Sequence, residues 1–110
     1  MDEHQVTDNP DVRLAKAGDP AAVERLFRAH WSMAWRVALA ITGRKVLAEE
    51  VAQEGFISAF GAIDRFDPAR PFAPWLKRIV TNCALNVVRS ERRLVLEAEP
   101  AAIDWQESEA

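Results

Sequence analysis

Cysteine is nearly absent from this chain: one residue, Cys83, among 110, which excludes an internal disulfide and argues against a metal site. Only two histidines, His4 and His30, are present, so the donors of a zinc cluster are lacking as well. Long apolar runs are missing too. The longest, residues 37–41, is far too short to span a bilayer, so no membrane insertion is expected. The first ten residues, MDEHQVTDNP, are acidic and polar, the opposite of a signal peptide, and a cytoplasmic location is expected. No run alternates with period two, so strands are not expected. There is no nucleophile–base pattern, phosphate-binding glycine loop or paired ligand motif, which leaves neither an enzyme nor a cofactor to expect.

What is present suits one compact domain. Hydrophobic residues make up 49% of the chain, enough for a packed core at this length. The net charge of −3 would not point to nucleic acid, but the charges are segregated. From Lys77 to Arg93 stand five positive residues (Lys77, Arg78, Arg89, Arg92, Arg93) and one negative, Glu91; from Glu97 onward stand five negative residues and no positive one. Binding responds to the local field, so this segregation is the informative quantity.

Residues 1–9 read as a flexible tail. Asn9-Pro10 and Asp19-Pro20 each offer a cap followed by proline at the first helical position, and Gly18 and Gly43 offer the matching stops. Helices over 10–17 and 20–42 follow. In the second, Val23, Leu26, Phe27, His30, Ala34, Val37, Ala38 and Ile41 keep the spacing of one buried face. A third helix is expected over 46–63, with Ala48, Val51, Ala52, Gly55, Phe56, Ala59, Phe60 and Ile63 buried. Gly55 costs about 1 kcal/mol relative to alanine inside a helix, which points to a close helix contact there. Residues 64–74 hold three prolines and cannot be a regular element. A fourth helix is expected over 74–93, its core stripe running through Phe72, Leu76, Ile79, Val80, Cys83 and Val87. The fold class is all-α, a bundle of about four helices over 10–93, followed by an acidic linker or tail over 94–110. Trp31 and Trp35 read most simply as core or boundary residues of the second helix, placed where they could form an aromatic seam against the third and fourth helices. His30 and Cys83 read as packed core residues rather than a ligand and a nucleophile.

Two helix faces carry the functional signal. On the fourth helix Arg78, Asn82, Asn86, Arg89 and Arg93 share one face, with spacings of 4, 4, 3 and 4. Arginines hold phosphates, and asparagine offers a donor and an acceptor to a base edge. Trp75, Phe66 and Phe72 stand near that face, and aromatic rings beside cations are what single-stranded bases stack on. The same pattern is also that of a solvated surface helix with Trp75 in the core. Two mid-helix asparagines weigh against this, since asparagine is a poor helix former. On the third helix Glu50, Gln53, Glu54 and Ile57 make a second face, an apolar anchor among polar groups that suits a protein contact. Taken alone, an acidic face of this kind is more often a solubility device.

The run AEEVAQEGFISAFGAIDRFDPARPFAPWLKRIVTNCALNVVRSERR resembles region 2 of bacterial sigma-70 factors, in particular the extracytoplasmic-function (ECF) group. The pieces are Glu50, Gln53, Glu54 and Phe56, then Arg65-Phe66-Asp67-Pro68, then Phe72, Trp75, Leu76, Arg78, Ile79 and Asn82, ending at Arg92-Arg93. Each piece is weak alone and specific in combination, and the resemblance extends from about Val12 to Arg93. It implies a transcription initiation factor whose third helix docks on the β′ clamp coiled coil of core RNA polymerase. The loop and fourth helix would bind the minus-ten promoter element as the strands separate, with a non-template base flipped into a loop pocket. Glu50, Gln53 and Glu54 would then be polymerase contacts, Ile57 sharing their face, and Asn82 would lie near melted DNA. Lys77, Arg78, Arg89, Arg92 and Arg93 would hold phosphates. An anti-sigma factor, if one exists, would mask both faces.

Three departures qualify the resemblance. Arg78-Ile79 stands where housekeeping relatives carry adjacent melting aromatics. Val80 and Cys83 replace smaller residues. The family's helix-turn-helix for the minus-thirty-five element is not in the sequence, so a fragment of a longer factor or a truncated one is expected. The rival readings are a duplex-binding helix-turn-helix regulator and a module that binds only proteins.

Overall fold

The computed structural model describes residues 9–98, and among these every regular element is helical. Helix α1 spans Pro10–Lys16, α2 Pro20–Thr42, α3 Lys45–Gly61 and α4 Phe72–Ala98, with a 3-10 turn at Ile63–Arg65 between the last two. The proline-led starts work as capping chemistry requires. Asn9 Oδ1 accepts from the Asp11 amide at 2.9 Å and Asp19 Oδ1 from the Ala21 amide at 3.0 Å, each worth about 1 kcal/mol. Gly18 and Gly43 take the positive φ values, 94° and 73°, that end α1 and α2.

Three boundaries differ from expectation by more than one residue. Helix α3 gives way to the 3-10 turn at its end, so Ile63 is buried from that turn and not from the α-helix. Helix α4 begins at Phe72 with Pro74 inside its first turn, where the amide proline lacks has no intrahelical partner anyway. It also continues past Arg93 to Ala98, leaving Leu94 and Val95 exposed. The rest of the expected acidic tail and the first eight residues lie outside the described residues.

The core is rich in alanine where helices cross: Ala34 and Ala38 of α2, Ala48, Ala52 and Ala59 of α3, and Ala84 of α4 are all fully buried. Small residues let backbones approach, and the tightest approach is at Gly55. A Cβ there would lie 2.6 Å from Val80 Cγ2, so α4 packs directly on the α3 backbone. Leu26, Phe56, Leu76 and Val80 fill the space between, while Val12 and Ala15 dock α1. Some expected core positions lie at the rim. Phe27 is 36% exposed, and Val23, Val37, Ile41, Phe60, Ile79, Cys83 and Val87 are half-buried. Ala22 and Ala84, absent from the expected stripes, are buried instead, because helices crossing at an angle bury only part of each face. The tryptophan seam involves α2 and α3: Trp31 lies 5.3 Å from Phe27 and 6.2 Å from Phe56, and Trp35 shares a groove with Lys45, Val46 and Glu49. Among the described residues no helix is long and apolar enough to cross a membrane.

Candidate functional site

The outward side of α3 is a ridge between two grooves. Glu50, Gln53, Glu54 and Ile57 all stand on it and are all exposed. Gln53 and Ile57 look toward α2, where they line an apolar groove of about 700 Å³ with Val23, Phe27 and Phe60. Glu50 and Glu54 look toward α4, where they line a groove of about 410 Å³ with Ser58, Cys83 and Asn86. One helix face thus offers an apolar edge and an acidic edge, the combination that sequence spacing implied. Spacing did not foresee Phe27, because its place on the α2 stripe reads as core.

Helix α4 exposes Lys77, Arg78, Asn82, Asn86, Arg89, Arg92 and Arg93. None of its five cations forms an ion pair with a described residue. The one acidic residue of the stretch, Glu91, is held by Arg44 at 3.0 Å and is drawn to the α2–α3 turn. It is therefore occupied elsewhere, and among the described residues no carboxylate pairs with the basic face. Asn86 stands at the edge of that face, in the groove it shares with Glu50 and Glu54.

At the start of α4 the loop folds into a pocket of about 360 Å³, lined by Arg65, Phe66, Asp67, Arg70, Pro71, Pro74, Trp75 and Arg78. Three guanidinium groups and one indole converge there, which suits a planar, anionic or hydrogen-bonding ligand part. Asp67 shapes the loop: its carboxylate accepts from the Ala69 amide at 2.9 Å and its carbonyl from the Arg70 amide at 2.9 Å. The ring of Trp75, half-buried, lies 4.4 Å from that of Phe66. Phe66 and Phe72, expected as stacking platforms, are only 5% and 3% exposed. They meet edge to face at 5.8 Å beneath the loop, so they support the pocket from below and Trp75 is the ring left with a free surface. Arg65, Asp67 and Arg70 were not singled out by helical spacing, since a loop has no period. The Asp-Pro pair at 67–68 was the available signal.

His30 Nδ1 donates to the Leu26 carbonyl at 2.9 Å, and its ring packs against Phe72, which uses it structurally. Burial pushes the Cys83 thiol above its ordinary value, and the Glu54 carboxylate adds to this against a hydrogen bond with Ser58. A thiol held neutral is a poor nucleophile. Among the described residues no cluster of acidic, histidine or cysteine side chains could hold a metal ion.

The family description Sigma-70 region 2 matches residues 26–94. The chain belongs to the sigma-70 family. It is a region 2 domain of the ECF type, similar to the ECF RNA polymerase sigma factor SigE of Mycolicibacterium smegmatis, with 37% identity over 79% of this chain and 35% of that protein. It is also similar to the ECF sigma factor SigW of Bacillus subtilis, 32% identical over 84% of this chain and 50% of the relative. The region 2 domain thus spans half or less of these two relatives. Among solved structures it is similar to an engineered region 2 of sigmaE, solved by NMR in complex with GTAAAA. The TM-score is 0.74 and the identity 31%, covering 81% of this chain and 93% of that one.

Proposed function

We propose that this region 2 domain serves transcription initiation by joining core RNA polymerase to the minus-ten element of a promoter and capturing its non-template strand as the duplex opens. The observation that carries the reading is the pocket of Arg65, Arg70, Trp75 and Arg78 at the head of a basic helix face that forms no ion pair with a described residue. A base turned out of the stack needs an aromatic or guanidinium plane and hydrogen bonds to its edge, and its phosphates need cations alongside. The α4 face supplies Lys77, Arg89, Arg92 and Arg93 for phosphates and Asn82 and Asn86 for base edges. The engineered sigmaE region 2 in complex with GTAAAA supports the same assignment by similarity. Catalysis belongs to the polymerase, and this domain contributes recognition, with no cofactor of its own.

Glu50, Gln53, Glu54 and Ile57 take the polymerase, through the β′ clamp coiled coil. The α3 ridge and the loop pocket have no lining residue in common, which lets one domain touch protein and strand together, and the α4 face meets the ridge only at the groove that holds Asn86. An anti-sigma factor, if one exists, would cover both. The setting is the cytoplasm, where polymerase and promoter meet. The test is binding of the full chain, with core polymerase present, to labelled non-template minus-ten oligonucleotides, scrambled ones and duplexes. Preference for the unscrambled single strand is expected. Equal binding to all three, or preference for the duplex, would overturn the reading.

A further inference from the structure

Lys16 closes helix α1, outside the stretch matched by the family, and neither spacing nor motif draws attention to it. Its Nζ donates to three backbone carbonyls almost fifty residues away: Ile63 at 3.0 Å, Asp64 at 2.9 Å and Phe66 at 2.9 Å. An ammonium has three N–H donors and no acceptor, so its whole donor capacity goes to this one segment. No backbone amide among the described residues is bonded to the carbonyls of Asp64 and Phe66. The arm has a fixed root. Val12 and Ala15 are buried, Asn9 caps the helix, and Asp11 accepts from Arg25 of α2 at 2.9 Å. Three of the residues next to or among the gripped carbonyls, Arg65, Phe66 and Asp67, line the loop pocket.

The geometry points to Lys16 as a positioning residue for base recognition: it fixes the segment 63–66 and thereby the Arg65, Phe66 and Asp67 wall of the pocket. It acts without touching the strand, and the role rests on the reading of that pocket as a base site. The loop holds itself with few bonds of its own, Arg65 N to Ala62 O, Phe66 N to Ile63 O and the two made by Asp67. A loop wall free to drift by an ångström loses contacts that depend on angle and distance, while phosphates gripped by flexible arginines on α4 barely notice. The signature of Lys16 is therefore on discrimination and not on bulk affinity.

Lys16→Met keeps most of the stem and removes the ammonium. Asp11→Asn is its control, loosening the same helix through Arg25 while leaving the three carbonyl bonds in place. Two readouts apply to the full chain: amide exchange by NMR across residues 63–71, and the affinity ratio between the preferred and scrambled single strands with core polymerase. In Lys16→Met the Arg65, Phe66 and Arg70 amides should exchange at least about tenfold faster while those of α2 and α3 keep their rates. The affinity ratio should fall roughly tenfold, the worth of about one base contact, with the salt slope unchanged. Asp11→Asn should leave both near wild type. Lys16→Arg, whose planar fork cannot converge one nitrogen on three carbonyls, should fall between and serves if the methionine variant folds poorly. Unchanged loop exchange in Lys16→Met overturns the proposal whatever the DNA does, and so does faster exchange with an unchanged ratio. A wild-type chain with no strand preference would sink the base-pocket reading and this role with it, while the exchange data still report whether the grip exists.

Discussion

Gly55→Ala tests the packing that sets the distance between α3 and α4. The new Cβ would lie 2.6 Å from Val80 Cγ2, 3.3 Å from Val80 Cα and 3.4 Å from Val80 Cβ. Carbon atoms rest near 3.5–4.0 Å, so the first of these approaches is well inside the repulsive wall. Valine has essentially one χ1 rotamer in a helix, so its methyl cannot turn away, and Val80 is fully buried. The second approach is to backbone, so α4 itself must move out by a few tenths of an ångström. Overpacking of this kind costs about 1–3 kcal/mol, against about 1 kcal/mol returned by replacing a mid-helix glycine. The expected net is a loss of up to about 2 kcal/mol, which in a domain of this size lowers Tm by up to roughly 15 °C.

Thermal and urea unfolding followed by circular dichroism measure that loss, and a cycle with Val80→Ala assigns it. Val80→Ala alone removes two buried methyl groups and should cost about 2 kcal/mol. In the double variant the alanine methyl enters the vacated space, so the two losses should fall short of additivity by about 1 kcal/mol or more. A Gly55→Ala chain more stable than wild type, or strict additivity in the cycle, would refute the close α3–α4 packing.

Four further outcomes are expected. Replacing Gln53 and Glu54 together by alanine should weaken binding to a β′ clamp fragment by about 1–3 kcal/mol in calorimetry with helical content unchanged; unaltered affinity would remove them from the interface. Arg89→Ala with Arg93→Ala should weaken all strands alike and flatten the salt dependence by about 0.7 per lost single-strand contact, whereas Asn82→Ala should lower discrimination by roughly 1–3 kcal/mol; the opposite pattern would reverse the two roles. Cys83 should be alkylated by iodoacetamide only at higher pH than an unfolded-chain cysteine, since burial raises its thiol. Because the folded chain favours the neutral thiol, that contribution to stability is present below the unfolded-state value and lost as pH rises through the folded one. An anti-sigma factor, if one exists, should protect α3 and α4 from hydrogen exchange; protection confined to residues 10–42 would place it elsewhere.

The helices were legible because their signals are local. Asn9-Pro10, Asp19-Pro20, Gly18 and Gly43 act within a turn of their own position, and each does in the structure what its chemistry requires. Gly55 was legible for a related reason: a costly residue inside a good helix implies a neighbour that needs the space. Where boundaries moved, the competing effect was also local but quieter. Pro74 reads as a helix start, yet a first turn tolerates proline at any position whose amide lacks a partner, so Phe72 and Ala73 precede it in the helix.

The site was legible only along single helices. Periodicity places Glu50, Gln53, Glu54 and Ile57 on one face because all belong to α3, and it places Arg78, Asn82, Asn86, Arg89 and Arg93 on one face of α4. It cannot say that Phe27 joins Ile57 across a groove, that Glu91 is held by Arg44, or that Lys16 reaches the carbonyls at 63–66. Each of those pairings depends on where one element lies against another, and no spacing rule spans the distance along the chain between the partners. The aromatics show the same limit from the other side. Phe66, Phe72 and Trp75 look equivalent in sequence, three rings beside a basic helix. The bundle buries two of them as the floor of the loop and leaves the third with a face toward the pocket. Three residues of helix fall short of a full turn by about 60°, and that offset carries the side chain from the core at Phe72 to its rim at Trp75. The ring to replace when testing base stacking is therefore Trp75, since removing Phe66 or Phe72 would collapse the floor and report on folding instead.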